Sequence, residues 1–210
     1  MIPAFRDRIV ILGYGSLIWD LDDLAPQVEG GWAMGAGPAF PLEFSRISPK
    51  RLMGLVVCVD PVEGAPCPSH AIVSRRGTAA AARADLARRE RAAEAHVGVW
   101  DRGGVAAGRI APLVGEWCAA TGAAGAVWTE LPANFAEAAG RPFDHGAAEA
   151  WLLGLEGPAR DEAVRYIQNA PAATDTALRR RLAGLDWWRA EAARVAALDA
   201  AASTRARPTG

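Results

Sequence analysis

Strand-like segments early in the chain and helix-like segments late predict an α+β fold. Three observations carry this. Short β-branched runs bounded by Gly, Pro or Asp all fall before residue 130. From residue 144 onward the pattern turns helical. The chain has 210 residues, 51% hydrophobic and 22% charged, enough to bury a sizeable core in one unit of ordinary size.

Residues 8–12 form a β-branched run stopped by Gly13, which reads as a buried strand ending in a turn. Residues 13–17 form a tight glycine-containing loop. Gly30, Gly31, Gly35 and Gly37 interrupt any regular pattern, so 27–40 reads as a bent strand or loop. Residues 42–47 alternate moderately and predict a strand. Residues 52–59 are the clearest strand, closed by Asp60-Pro61. Prolines and a glycine make 62–69 a loop, and 71–74 reads as another short strand.

Thr78 caps a helix expected over 79–95, rich in alanine and arginine. A strand over 97–100 leads into an Asp101-Arg102-Gly103-Gly104 turn, followed by a helix over 112–120 and a strand over 126–129. Helices are expected over 144–155, 159–169 and 175–202, separated by Gly157-Pro158 and Pro171, with a frayed tail over 203–210. No linker is visible. Residues 1–143 therefore read as the domain proper, and 144–210 as a helical C-terminal extension packed on it.

Charge and composition remove several classes of function. Lys+Arg 23 against Asp+Glu 24 leaves a formal charge of -1, so no basic surplus calls for nucleic acid. No segment approaches the roughly 20 continuous apolar residues of a membrane span, and residues 6–12 lack the pattern of a signal peptide. Cys58, Cys67 and Cys118 are few, scattered and odd in number, which fits buried core positions in a reducing cytoplasm. His70, His96 and His145 lie far apart without ligand spacing, so they read as structural or exposed rather than as a metal site. Trp19, Trp32 and Trp100 are candidates to line a pocket near the first loop, with core packing as the default. The oligomeric state stays open.

The loop Gly13-Tyr14-Gly15-Ser16-Leu17 directly follows the first strand. Such a loop turns backbone N–H groups toward one point, and Gly15 lets a ligand come close because it has no Cβ. A dinucleotide fingerprint needs a third glycine where Ile18 stands. A nucleophile elbow needs glycines at Tyr14 and Ile18. Neither fits, and no Gly-Lys-Ser/Thr phosphate loop occurs.

Tyr14-Gly15-Ser16-Leu17, followed by Ile18-Trp19, resembles the signature of the γ-glutamylcyclotransferase-like superfamily, and is especially similar to the opening of its ChaC-type branch. The resemblance covers roughly the first 100 residues. It implies a small mixed β-barrel with helices packed around it, and a loop (Tyr14, Gly15, Ser16, Leu17) whose amides hold the γ-glutamyl part of a small-molecule substrate. It further implies a lyase that releases 5-oxoproline from a γ-glutamyl amide, with glutathione the expected substrate and no cofactor. The segment Arg88-Arg89-Glu90 resembles the family's Arg-Glu pair, which makes Glu90 the candidate catalytic carboxylate. The Gly-Gly-Tyr stretch that usually follows is absent. Arg91-Ala92-Ala93-Glu94 stands there, so a tyrosine contact is missing and Glu94 becomes an alternative base.

The residues alone lend Glu90 modest support. Ala79, Ala82, Leu86, Glu90 and Ala93 share one face of the expected helix, and Leu86 marks that face as buried. A carboxyl interrupting a buried face holds its proton more tightly and suits proton shuttling. Alternatively, Glu90 is an ordinary surface charge among Arg88, Arg89 and Arg91. Arg46 follows Phe44 by two residues in a predicted strand and would share its face, there to pair with a substrate carboxylate or with a rim acid. Two other functions compete with the enzyme: a non-catalytic binding or regulatory module that keeps the anion-binding loop, and a different amide-bond chemistry in the same pocket.

Overall fold

The computed structural model describes residues 5–205. It is a mixed α+β fold. The strands are β1 (Ile9–Gly13), β2 (Val28–Ala33), β3 (Ala39–Ser48), β4 (Gly54–Val59), β5 (Ala65–Pro68), β6 (His70–Ser74), β7 (Val97–Asp101), β8 (Ala106–Ala107) and β9 (Gly125–Thr129). The helices are α1 (Ala79–Glu90), α2 (Ala111–Thr121), α3 (Phe135–Ala139), α4 (His145–Gly154), α5 (Gly157–Asn169), α6 (Ala177–Ala183) and α7 (Asp186–Arg205).

The strands form two sheets. One runs β2-β6-β1-β9-β7-β8 and the other β4-β3-β5. Both are open, and no strand pairing joins β2 to β8 among the described residues. The larger sheet is mixed: β1 runs antiparallel to β6 and parallel to β9. All five residues of β1 are buried. Val10 and Leu12 join the core shared with the smaller sheet and the C-terminal helices, while Ile9 and Ile11 pack with Leu86 of α1. Burial on both faces is why the run is continuously apolar rather than alternating.

Several elements differ from the expected pattern. Residues 65–68, expected as loop, pair with β3 as β5. Pro66 and Pro68 are tolerated because β5 is an edge strand and owes no N–H on its outer side. The expected strand start at residue 52 is displaced. Leu52 and Met53 take left-handed conformations, φ 51° and 66°, and β4 begins at Gly54. The helix expected over 79–95 ends at Glu90, because Arg91 turns left-handed at φ 53° and closes the helix with its own N–H. The Thr78 hydroxyl oxygen accepts from Ala81 N at its other end.

The long helix expected over 175–202 is two helices, α6 and α7, broken at Gly184-Leu185. Ser203, Thr204 and Arg205, expected to fray, continue α7, while 206–210 lie outside the described residues. A short helix, α3, appears where none was expected. No helix among the described residues is long and apolar enough to cross a membrane.

Helices α4, α5 and α6 pack on the smaller sheet, and α7 packs on α5 and α6. Buried Ala163, Val164, Tyr166 and Ile167 of α5 recur at helical spacing and join Leu178, Leu182, Trp188 and Val195 in one core with β3 and β4. Glu43 of β3 ties this junction together. It is fully buried, and its two oxygens accept from Phe44 N at 2.8 Å, Leu178 N at 3.2 Å and the His145 ring at 3.2 Å. One carboxylate thus joins β3 to the first turns of α4 and α6, satisfying a helix-terminal N–H that would otherwise lack a partner.

Candidate active site

A cavity of about 820 Å³ opens between the loop after β1, the strands β3 and β4, the end of α1, the end of β9 and the buried face of α5. Tyr14, Ser16, Leu17, Arg46 and Glu90 all line it. The fold therefore brings together residues that lie up to 76 positions apart in sequence. Gly15 sits among them under Tyr166 and Val57.

The loop is built by exclusion of side chains. Gly15 to Ile18 form a single 3-10 turn, and Gly15 has φ 58°. A Cβ there would stand 2.7 Å from Val57 Cγ1 and 2.9 Å from the Tyr166 hydroxyl, so both backbone conformation and space require glycine. At Gly13 a Cβ would run into the Trp32 ring at 2.4 Å. The hydroxyl of Tyr14 donates to the Thr129 carbonyl at 2.8 Å, which fastens the loop to the end of β9. Burial pushes the Tyr14 phenol well above its ordinary range.

Glu90 ends α1 with its side chain 14% exposed. Its Oε1 accepts from Arg89 at 2.8 Å and from the Thr129 hydroxyl at 3.1 Å. Among the described residues no donor reaches Oε2, which is left to the cavity. Thr129 therefore links both candidate parts, receiving Tyr14 at its carbonyl and holding Glu90 with its hydroxyl. Arg89 is more buried still, at 8% exposure, donates also to the Asp20 carbonyl, and keeps a buried Nε without a partner among the described residues. The Lys50 ammonium donates to the Glu90 carbonyl at 2.6 Å.

Arg46 reaches the cavity by a route the alternation argument did not foresee. A bulge lies between Glu43 and Arg46, where Phe44 and Ser45 of β3 oppose Val57 of β4. The two-residue period does not carry across it. One guanidinium nitrogen of Arg46 donates to the Pro132 carbonyl at 2.6 Å. With Lys50 and Arg51 it makes one wall cationic, while Asp20, Asp22 and Glu90 stand opposite in charge.

Glu94, the alternative base, is exposed, lies beyond the end of α1, and does not line the cavity. Ala93 likewise leaves the helix face on which it was placed. None of Trp19, Trp32 and Trp100 lines the cavity. Trp19 packs edge-on against Tyr166 beside it, Trp32 covers Gly13, and Trp100 packs on Gly115. His96 reaches the cavity, whereas His70 and His145 do not. Among the described residues no three His, Cys, Asp or Glu side chains gather as a metal-ligand set.

Cys58 and Tyr166 are among the lining residues that sequence reasoning did not place in the site. Cys58 sits 3.3 Å from the Ser45 hydroxyl, which donates to Asp60 at 2.6 Å. Burial pushes the thiol up to about 11, so it is a packed core group and not a nucleophile. Tyr166 comes from α5, in the part of the chain that carried no motif. A usable signal existed. The chain has only two tyrosines, and both line this cavity.

No family model matches the chain, and no curated protein or solved structure shows a significant match to it.

Proposed function

We propose that the protein is a γ-glutamylcyclotransferase-like enzyme that cleaves a γ-glutamyl amide, glutathione being the expected substrate, into 5-oxoproline and a free amine. One observation carries the reading: the Glu90 carboxylate and the loop Tyr14–Leu17 line the same cavity, with one carboxylate oxygen fixed and the other open to it. On this reading the fold derives from the mixed barrel of that superfamily, and the mixed pairing of β1 supports it.

The chemistry needs few groups. The α-nitrogen of the substrate attacks its own γ-carbonyl carbon, so proximity is built into the molecule. The new C–N bond closes the five-membered ring, and the carbonyl π electrons move onto oxygen. When the carbonyl reforms, the bond to the leaving nitrogen breaks. An α-ammonium enters and a lactam N–H remains, so two protons leave the α-nitrogen. Both end on the leaving amine, which departs as an ammonium. On this reading Glu90 Oε2 carries them in turn. The loop amides hold the γ-glutamyl part, and Arg46 pairs with its carboxylate.

The direct test is release of 5-oxoproline from glutathione and from a panel of γ-glutamyl peptides and amines. Glu90→Gln keeps shape and removes the base; turnover should fall by about 10²–10⁴, with a weaker effect on binding. The Arg89–Glu90 ion pair at 2.8 Å favours a second reading, in which a neutralised carboxylate serves only to bind. Tight binding of a γ-glutamyl compound by a wild-type protein that never turns it over would establish that reading instead.

A further inference from the structure

The buried face of α5 delivers more than packing. The Tyr166 ring is held on three sides: Trp19 and Phe44 meet it edge-on at 5.6 Å and 6.4 Å, and the Arg51 guanidinium lies 5.4 Å from its centroid. Arg51 is itself fixed by Glu162, one turn back on α5, at 2.9 Å. The ring thus has little freedom to swing its hydroxyl away.

That hydroxyl lies over the loop. It occupies the space a side chain at Gly15 would need, 2.9 Å from the position of a Cβ. Ser16, through both its backbone and its side chain, interacts with this phenol and favours its ionised form. Burial pushes its ionisation up to about 12, so the group is neutral at any ordinary pH and acts as a donor, never as a base.

We infer that the Tyr166 hydroxyl is a catalytic hydrogen-bond donor to the γ-carbonyl oxygen, completing from α5 the site that the first loop and α1 begin. This rests on the cyclotransferase reading. As the α-nitrogen attacks, negative charge collects on the carbonyl oxygen. A fixed donor strengthens its hydrogen bond at that moment and returns to its resting state when the carbonyl reforms. Tyr166 keeps its proton throughout; the two transferred protons pass by way of Glu90. The C-terminal helices are then part of the reaction centre, and loss of α5 would remove a donor as well as a wall.

The experiment compares wild type with Tyr166→Phe, which keeps the ring and its packing and deletes only the hydroxyl. With glutathione, or whichever γ-glutamyl compound is turned over, kcat should fall by about 10²–10³, the effect of losing one oxyanion donor. KM should stay within about threefold and the unfolding temperature near that of wild type, since the lost interaction belongs to the transition state. An unchanged kcat overturns the assignment and leaves the reaction standing. So does a fall in kcat matched by a rise in KM and a loss of thermal stability, which marks a structural role. A wild type with no 5-oxoproline from any panel member overturns both the assignment and the reaction.

Discussion

Glu43 in the middle of β3 and Glu90 at the end of α1 both lie largely out of the solvent, and their surroundings differ in kind. Glu43 is fully buried and both its oxygens are occupied, by two backbone N–H groups and a histidine. Nothing remains for a ligand. Glu90 is 14% exposed, has one oxygen held by Arg89 and Thr129, and presents the other to a cavity of about 820 Å³. A buried acid whose acceptors are all used is architecture. One with a spare acceptor facing a cavity is equipped for chemistry. Burial alone does not separate them; the count of satisfied lone pairs does.

The sharpest way to break this comparison is Glu43→Ala. It leaves the N–H groups of Phe44 and Leu178 buried without acceptors, and stability should fall by about 2–5 kcal/mol, read by denaturant unfolding. A mild effect would mean that the β3–α6 junction does not depend on this carboxylate. Gly15→Val comes next. It forces a β-branched residue to φ 58° and into Val57 and the Tyr166 hydroxyl, at a cost of about 1–3 kcal/mol. Ligand binding should vanish in calorimetry while far-ultraviolet dichroism still reports a folded chain. Unchanged affinity would remove the loop from the site.

Alkaline pH probes the lining of the same cavity. Burial raises Cys58 from 9.0 to about 11 and Tyr166 from 10.0 to about 12. Raised folded values mean that their contribution is complete below the unfolded values and is lost as pH climbs through the folded ones, because the unfolded chain releases these protons first. The unfolding temperature should therefore decline between pH 9 and pH 12, with Tyr166→Phe flattening the upper part of that window and Cys58→Ala the lower. A decline identical in all three proteins would place the sensitivity elsewhere.

Smaller effects sharpen the Glu90 side. Thr129→Val removes one of the two donors on Oε1 and should lower kcat about tenfold, with Thr129→Ser restoring it, since a single hydrogen bond contributes about 1 kcal/mol. Failure of the serine to rescue would point to packing rather than to the hydroxyl. The smallest effect belongs to Glu94→Gln. That side chain is exposed and does not line the cavity, so stability should hold within about 0.5 kcal/mol and turnover should not change. Loss of turnover in Glu94→Gln would move the base to Glu94 and keep the proposed reaction.

Much of this was legible from order along the chain. The two-sided burial of β1 is written in its unbroken apolar run, the start of α1 in Thr78, and the loop in a glycine where φ is positive. These are local demands of backbone and solvent, and neighbouring residues state them. The end of α1 was misread because alanine and arginine favour helix through residue 95, whereas the chain turns at Arg91. Propensity is a weak preference that contacts override. The edge position of β5, the bulge before Arg46 and the break between α6 and α7 depend in the same way on partners far off in sequence.

The sequence by itself determined the α+β class, the position of most elements, and the first loop and Glu90 as a pair worth testing. Only the tertiary structure decided that they share a cavity, that Thr129 links them, that Glu94 stands outside, and that Tyr166 of α5 completes the lining. The physical reason is the range of the forces involved. Turns, caps and buried runs answer to the residues beside them, but a side chain's aim answers to whatever the fold packs against it, and those partners lie 115 residues away for Tyr14 and Thr129 and 135 for Glu43 and Leu178.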